Sequence, residues 1–110
     1  MKVRNYLDVK ADAVAPGVLR RVAVGAKDGA PTFAIRVFEI SPGSATPYHS
    51  HPWEHGVFGL SGKGVVRSKD GDKAIGEGSV VFVEPDEEHC FANTGNKLLR
   101  LICVVPVENN

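Results

Sequence analysis

The sequence lacks several features that would directly identify a nucleic-acid-binding, membrane or secreted protein. Thirteen basic and thirteen acidic residues cancel, so no excess charge is present to attract a nucleic acid or an anionic membrane. No apolar run approaches the roughly 20 residues that span a bilayer. The residues after Met1 contain no apolar segment of the kind that a secretory signal requires. We therefore expect no nucleic acid and no membrane among the partners of this chain.

Cysteine is also scarce. Cys90 and Cys103 are the only two, and their spacing fits neither a zinc knuckle nor a redox pair. A chain without a disulfide framework is typical of a reducing compartment, so we expect a cytoplasmic protein. Its 110 residues, 43% of them hydrophobic, suit a single compact domain that covers residues 1–110.

Signals for helices are weak, whereas signals for strands recur. Twelve glycines and seven prolines interrupt the chain at intervals of about eight to twelve residues, which is typical of a β-sandwich or β-barrel. Residues 41–44 have Pro and Gly at the central positions of a type II turn, and Asp70-Gly71 indicates a hairpin. The predicted strands cover residues 18–24, 33–40, 48–51, 55–60, 63–68, 73–75, 79–83, 89–92 and 98–105.

Two of these strands, 33–40 and 98–105, are apolar on both faces, although a lone small barrel needs only one apolar face. Arg100 interrupts one face of strand 98–105, so we expect the alternate residues Leu99, Leu101 and Cys103 to look into the barrel. The other apolar residues would be exposed on a monomer, and they predict a homodimer formed through sheet faces. They are Phe38, Ile40, Ile102 and Val104. An N-terminal segment that covers this face is the alternative.

Four histidines give the sequence its densest group of reactive side chains. His49 and His51 are two residues apart, so on a strand both point to the same side. His55 follows across a proline and can return to that side, whereas His89 must arrive through tertiary folding. A single histidine on a strand is more often an ordinary surface or core residue. Four at ligand spacing predict a metal site of His49, His51, His55 and His89.

The spacing around these histidines resembles that of small single-domain cupins. The family's first motif, G-x5-H-x-H-x3-E-x6-G, has its counterparts at Gly43, His49, His51, His55 and Gly62, with His55 in the place of the usual Glu. The second motif, G-x5-P-x-G-x2-H-x3-N, has its counterparts at Gly78, Pro85, His89 and Asn93. Here the first gap is one residue longer, the next gap is one residue shorter, and an acidic residue replaces the middle glycine.

The resemblance implies an all-β fold, a double-stranded β-helix (cupin or jelly-roll) barrel with a metal ion at its centre. The chain is most similar to small cupins that carry four histidines, manganese-binding members included. We expect a divalent transition metal, with manganese first and iron, nickel, cobalt or zinc as alternatives. Glu54 would become a ligand only through a one-residue slip that inverts every side chain from His55 onward, so the register favours His55.

The ligand set has a chemical consequence. Four neutral histidines leave a divalent ion with its full double charge, which makes it a stronger Lewis acid and favours an anionic, chelating substrate. We predict a manganese- or iron-dependent oxygenase, a dioxygenase, that acts on a small organic molecule. A non-catalytic binding or sensor module and a metal-dependent isomerase of sugars or keto acids are the alternatives. The isomerase needs a base, and every histidine is already a predicted ligand.

Position along the chain also suggests the walls of a substrate pocket. The predicted pocket residues are Thr46, Tyr48, Phe91, Leu101 and Cys103. Phe91 is included because it shares a strand face with His89. Cys103 is included because it lies on the inward face, and packing as a small buried hydrophobe is its alternative role. Trp53 lies between two predicted ligands, where it either packs over the mouth of the site or anchors the loop.

Overall fold

The computed structural model describes residues 1–107, and the fold is all-β, as the sequence predicts. Within these residues, nine strands form two antiparallel sheets. The strands are β1 (Asp12–Ala15), β2 (Val18–Val24), β3 (Phe33–Ile40), β4 (His55–Ser61), β5 (Lys63–Ser68), β6 (Gly71–Gly76), β7 (Val80–Val83), β8 (Cys90–Ala92) and β9 (Leu99–Pro106). Single turns of 3-10 helix, Tyr6–Asp8 and Ala26–Asp28, precede β1 and β3. No helix in the described part of the chain is long and apolar enough to cross a bilayer.

The sequence predicted the turns more accurately than some of the strands. Gly43 has a φ of 80° and the Ser44 N–H donates to Ser41 O at 3.0 Å, which confirms the turn at residues 41–44. The predicted hairpin joins β5 to β6. The predicted strand at 48–51 is wrong, because that segment contributes only an isolated bridge at His49. β1 was not predicted, since its sequence, Asp-Ala-Val-Ala, has no β-branched or aromatic run.

The two sheets enclose the core between them. The large sheet has the strand order β1-β2-β3-β9-β4-β7, and the small sheet has the order β6-β5-β8. Both sheets contribute core side chains, such as Ile40 of β3, Leu99 of β9 and Phe91 of β8. β9 lies between β3 and β4 although it follows both in the chain. The large sheet is therefore continuous only when β9 is in place.

The register of β3 against β9 decides which side chains look inward. Arg36 pairs with Cys103, Phe38 with Leu101, and Ile40 with Leu99. Directly opposed residues share a face, and the inward face of Leu99, Leu101 and Cys103 is confirmed, because all three are buried in the core. Their partners on β3 therefore face inward as well. The prediction that Phe38 and Ile40 would be exposed on the opposite face is wrong for this reason.

The outer face of the large sheet keeps an exposed apolar patch. Phe58, Val80, Phe82 and Val104 are 45%, 77%, 63% and 41% exposed, and they lie on the neighbouring strands β4, β7 and β9. We call these four residues the sheet-face patch. The N-terminal segment lies elsewhere, because Arg4 Nη2 donates to Ala23 O at 2.6 Å and Arg21 Nε donates to Val9 O at 3.1 Å. It therefore covers β2 and leaves the sheet-face patch exposed.

Asn93, the last residue of the second motif, ties the end of β3 to the loop that follows β8. Its side chain is buried, and Nδ2 donates to Ile40 O at 2.7 Å and to Lys97 O at 2.8 Å. Its Oδ1 accepts from the Gly95 N–H at 2.9 Å. All three hydrogen bonds go to backbone groups, so the role of Asn93 in this structure is to hold the backbone.

Replacing Asn93 by Ala should lower the free energy of unfolding by about 2–4 kcal/mol, because two carbonyls and one amide lose their partners in or near the core. The exposed Asn96 offers a matched control, and Asn96→Ala should change the free energy of unfolding by less than about 0.5 kcal/mol. Urea denaturation measures both values. Equal effects of the two substitutions would contradict this account of Asn93.

Candidate metal centre and its cavity

A pair of backbone hydrogen bonds brings the distant histidine to the other three. The His49 N–H donates to His89 O at 3.1 Å, and the His89 N–H donates to His49 O at 3.0 Å. Residues that exchange both bonds in an antiparallel pair lie directly opposite each other with their side chains on one face. The two ring centroids are accordingly 5.2 Å apart. Tertiary pairing thus supplies the fourth histidine, as the sequence requires.

The four histidines lie in one cluster. The candidate ligand atoms of His49, His51 and His89 lie within 4.8 Å of one another. His55, the first residue of β4, joins them through His89, since the two Nε2 atoms are 3.0 Å apart. Two nitrogens that are each about 2.1 Å from one ion and at a right angle to each other are also about 3.0 Å apart. The separation therefore suits two ligands of a single ion.

Hydrogen bonds at the opposite side of each ring fix which nitrogen faces the cluster. The Nδ1 atoms of His49, His51 and His89 each lie 2.7 Å from a backbone carbonyl oxygen, those of Pro47, Trp53 and Glu87 respectively. A carbonyl oxygen only accepts, so each Nδ1 carries the proton and a neutral ring keeps its lone pair on Nε2. Rings oriented in this way are typical of metal ligands. These residues therefore fit a transition-metal ion.

His55 has a different partner. Its Nδ1 lies 2.8 Å from Cys103 Sγ, and the same sulfur accepts a hydrogen bond from Arg36 Nη2 at 3.2 Å. Sulfur can accept from Nδ1, although more weakly than a carbonyl oxygen does. Cys103 therefore supports the ring of His55 and connects it to the guanidinium group of Arg36.

Burial keeps two of the rings uncharged. Desolvation, helped by the neighbouring His89 and His51, lowers the pKa of His55 to about 3. Desolvation also lowers the pKa of His89, against the opposing effect of its hydrogen bond to Glu87. Both rings are neutral at neutral pH, and the neutral imidazole is the form that binds a metal. Burial raises the pKa of the Cys103 thiol, in spite of the charge on Arg36.

A cavity of about 200 Å³ adjoins the cluster. Four of the five predicted pocket residues line it: Thr46, Phe91, Leu101 and Cys103. Tyr48 does not, because it directly precedes His49 in an extended segment and its side chain points away, to solvent. The Thr46 hydroxyl accepts from the Phe91 N–H at 2.9 Å, so it also serves to hold the wall. Apart from the four histidines, the remaining wall is mainly apolar, with Val14, Phe38 and Val57 among its residues.

The loop between His51 and His55 places Trp53 against a histidine ring. Its indole stacks on His51 with ring centroids 4.5 Å apart and an interplanar angle of 7°. The indole also lines the cavity, so Trp53 contacts both a predicted ligand and the space beside it. The neighbouring Glu54 is exposed to solvent.

Two arginines of the cavity wall were missed by the sequence analysis. Arg36 of β3 and Arg20 of β2 both line the cavity. Alternation along β3 places Arg36 on the same face as Phe38 and Ile40, which the sequence analysis expected to lie outside. The pairing of Arg36 with Cys103 turns that face inward, and no local pattern along β3 reveals this pairing.

The sequence has relatives among known proteins. The model of the cupin domain family matches residues 36–105, a range that contains all four histidines. The oxalate-binding protein of Thermotoga maritima is 34% identical over 68 residues, which make up 61% of this chain. The match covers 56% of the length of that curated relative.

The fold has relatives among solved structures as well. The polyketide cyclase RemF from Streptomyces resistomycificus is 31% identical and superposes with a TM-score of 0.89, over 97% of this chain and 80% of that chain. A predicted oxalate decarboxylase from Thermotoga maritima superposes with a TM-score of 0.85, over 96% and 99% of the two chains. Its identity is 21%, so the likeness there is one of fold alone.

Proposed function

The chain belongs to the cupin domain family, and from this premise we propose that it is a metal-dependent enzyme that acts on a small organic molecule. The observation that carries the proposal is the contact between the four histidine rings at the side of a mainly apolar cavity. The cavity, at about 200 Å³, is smaller than the roughly 300–1,000 Å³ that drug-sized ligands occupy. The substrate is correspondingly small.

The proposed ligands of one divalent ion are the Nε2 atoms of His49, His51, His55 and His89. Manganese is the first candidate on the resemblance to four-histidine cupins, with iron, nickel, cobalt and zinc as alternatives. The three carbonyl-bound Nδ1 atoms support this set, since they leave Nε2 unprotonated. No carboxylate belongs to the set, so an ion held there keeps its double positive charge.

When bound, the ion would supply Lewis acidity to a substrate with two adjacent oxygen atoms, and manganese or iron would add redox chemistry. The contribution of the chain itself is positioning and the exclusion of water. Phe91 and Leu101 form buried walls, and Trp53 holds the ring of His51. Among residues 1–107, the cavity lining includes no Asp, Glu, Lys or Tyr that would act as a base. This composition disfavours the isomerase alternative.

Lewis-acid activation without a change of oxidation state is the reaction class that we favour. Four uncharged ligands make a higher oxidation state of the ion harder to reach than a set that includes a carboxylate. Similarity to a polyketide cyclase, whose name denotes a ring closure, supports the same class for this chain. The oxygenase that the sequence predicts is the second candidate, and the apolar wall favours it because dioxygen is itself apolar. A binding or sensor module would use the same site without turnover.

The proposal also includes an oligomeric state and a cellular compartment. A homodimer would bury the sheet-face patch, since contiguous exposed apolar side chains on a folded domain usually mark an interface. The sequence predicts the dimer from four residues. Val104 belongs to this patch, Ile102 shares its outer face but is partly buried, and Phe38 and Ile40 lie on the inner face. The cytoplasm is the proposed setting, and it is supported by the two cysteines, which are both free thiols.

The metal-site proposal predicts one ion per chain in the purified protein and its loss in His89→Ala. Removal of His89 takes away one ligand and the ring through which His55 meets the cluster, so the affinity for Mn²⁺ should fall by about 100-fold or more. Elemental analysis and Mn²⁺ titration measure the effect. Glu54→Ala alters an exposed carboxylate beside His55 and should bind as the unaltered protein does. Equal binding by the two variants would exclude His89 as a ligand.

The reaction class is tested by incubating the Mn²⁺- and Fe²⁺-loaded protein with small β-diketo acids, diols, enediols and aryl alkenes, under air and under argon. Lewis-acid chemistry should proceed under argon and give a product of unchanged mass or one lighter by water. An oxygenase would consume dioxygen and give a product heavier by oxygen. Mass spectrometry and an oxygen electrode separate these outcomes. Reversible binding of one compound without any product would identify a binding module instead.

The dimer is tested by sedimentation equilibrium at micromolar concentration. We expect a dimer that becomes a monomer in Phe82→Glu, because the substitution places a charge in a patch that the dimer would desolvate. Leu7 is comparably exposed (56% against 63%) but lies outside the patch, and Leu7→Glu should remain dimeric. A clean monomer for the unaltered protein would rule the dimer out.

A further inference from the structure

Arg36 carries an uncompensated charge inside the cavity. Its guanidinium carbon lies 5.2 Å from the centroid of the Phe38 ring, and Nη2 donates to Cys103 Sγ at 3.2 Å. Its Nε is buried and has no acceptor among residues 1–107, and no ion pair within these residues involves Arg36. A guanidinium group has five N–H donors. Most of the hydrogen-bonding capacity of Arg36 is therefore left for a ligand.

Arg20 repeats this pattern on the neighbouring strand. It lines the same cavity, and its Nε is likewise buried without an acceptor in the described part of the chain. Its acidic neighbour Asp12 lies 3.9 Å away, and the Asp12 side chain is 57% exposed. An ion pair of this length and exposure is weak and screened by solvent. The cavity thus holds a second guanidinium group with little compensation.

Contacts through Cys103 connect the histidine cluster to Arg36, and Arg20 lies beside Arg36 on the next strand. His55 Nδ1 and Arg36 Nη2 both contact Cys103 Sγ, so one sulfur atom separates the ring from the guanidinium group. Arg20 pairs with Phe38, two residues from Arg36, and is therefore the diagonal neighbour of Arg36 on the inner face of the sheet. Diagonal neighbours lie about 7–8 Å apart, within reach of long side chains. The histidines and both arginines line the same cavity, so a single ligand bound there is exposed to all of these groups.

We propose that Arg36 and Arg20 form a carboxylate-binding subsite, so that the substrate is an organic acid. One end of this acid would chelate at the histidine cluster, and a separate carboxylate would bind the two guanidinium groups. The inference rests on the proposed metal site and deepens it by naming the substrate class.

Packing alone does not account for these arginines. A Met or Leu side chain at position 36 would occupy similar space without burying a charge, and such a replacement is often neutral or stabilising. A carboxylate matches the planar fork of a guanidinium group and accepts two hydrogen bonds from it. No Asp or Glu among residues 1–107 lines the cavity. Among residues 1–107, only the weak ion pair of Arg20 with the exposed Asp12 therefore competes with a carboxylate of the ligand for the two cations.

The test uses pairs of ligands that differ only in one carboxylate, which lies away from the chelating oxygen atoms. Isothermal titration calorimetry of the Mn²⁺-loaded chain compares catechol with 3,4-dihydroxybenzoate, and 2-oxobutyrate with 2-oxoglutarate. The members of each pair chelate through the same two oxygen atoms. We expect the ligand with the added carboxylate to bind about 10–100-fold more tightly, as a charge-assisted hydrogen bond implies. Arg36→Met should remove most of this preference, and Arg36→Lys should keep part of it because the charge remains.

Arg67→Met provides the matched control, because it removes the same charge from an exposed position on β5 and should leave the preference intact. If Arg36→Met fails to fold, Arg20→Met serves as the second test of the subsite. It should weaken the preference for the ligand with the added carboxylate. Equal affinity within both ligand pairs would overturn the carboxylate subsite and leave the metal site standing. Absence of Mn²⁺ binding would overturn the proposed function, and this inference with it.

Discussion

The backbone pairing of His49 with His89 is the contact on which the site depends. Two hydrogen bonds, of 3.1 and 3.0 Å, set these residues opposite each other and so determine where the second half of the histidine cluster lies. The pairing is possible because residues 43–49 run antiparallel to 89–93, with further bonds from Thr46 N–H to Phe91 O and from Asn93 N–H to Ser44 O. The same register points Phe91 into the cavity beside the histidines. A single slip of this register would separate the histidines and turn Phe91 out of the wall.

The turns and the common side of His49 and His51 could be predicted from the sequence because their information is local, whereas His89 was assigned to the cluster through its place in the second cupin-like motif. Spacing puts His49 and His51 on one side, and a glycine with positive φ is needed at position 43 for the turn to form. The faces of β3 could not be predicted in the same way. Both faces of that strand are apolar, so alternation gives two candidate inner faces and leaves the choice to the pairing with β9. Arg36 was therefore missed, although the inward direction of Cys103, its partner, was predicted correctly.

Neighbouring parts of the cavity wall differ in charge, because the buried histidines are neutral and the nearby Arg36 is positively charged. Burial disfavours charge on His55 and His89, and the carbonyl-bound Nδ1 atoms of His49, His51 and His89 leave the lone pairs of these three rings on Nε2, toward the cluster. A short distance away, Arg36 presents donors, and Cys103 contacts both groups with a single sulfur atom. A side chain that only filled space at position 103 would leave the ring of His55 without a partner on Nδ1. The identity of this residue therefore matters to the orientation of a histidine and of an arginine at once.

The place of β9 in the large sheet has a consequence for biosynthesis. β3 and β4 are made well before β9, yet in the folded protein β9 lies between them and is the strand to which both are hydrogen-bonded. Until the ribosome has released residues 99–106, both strands keep an unpaired edge, and the nascent chain offers these edges to any extended segment nearby. His55 is synthesised before the sulfur atom that supports it. β9 thus joins the two parts of the large sheet and, through Leu101 and Cys103, completes the wall of the cavity.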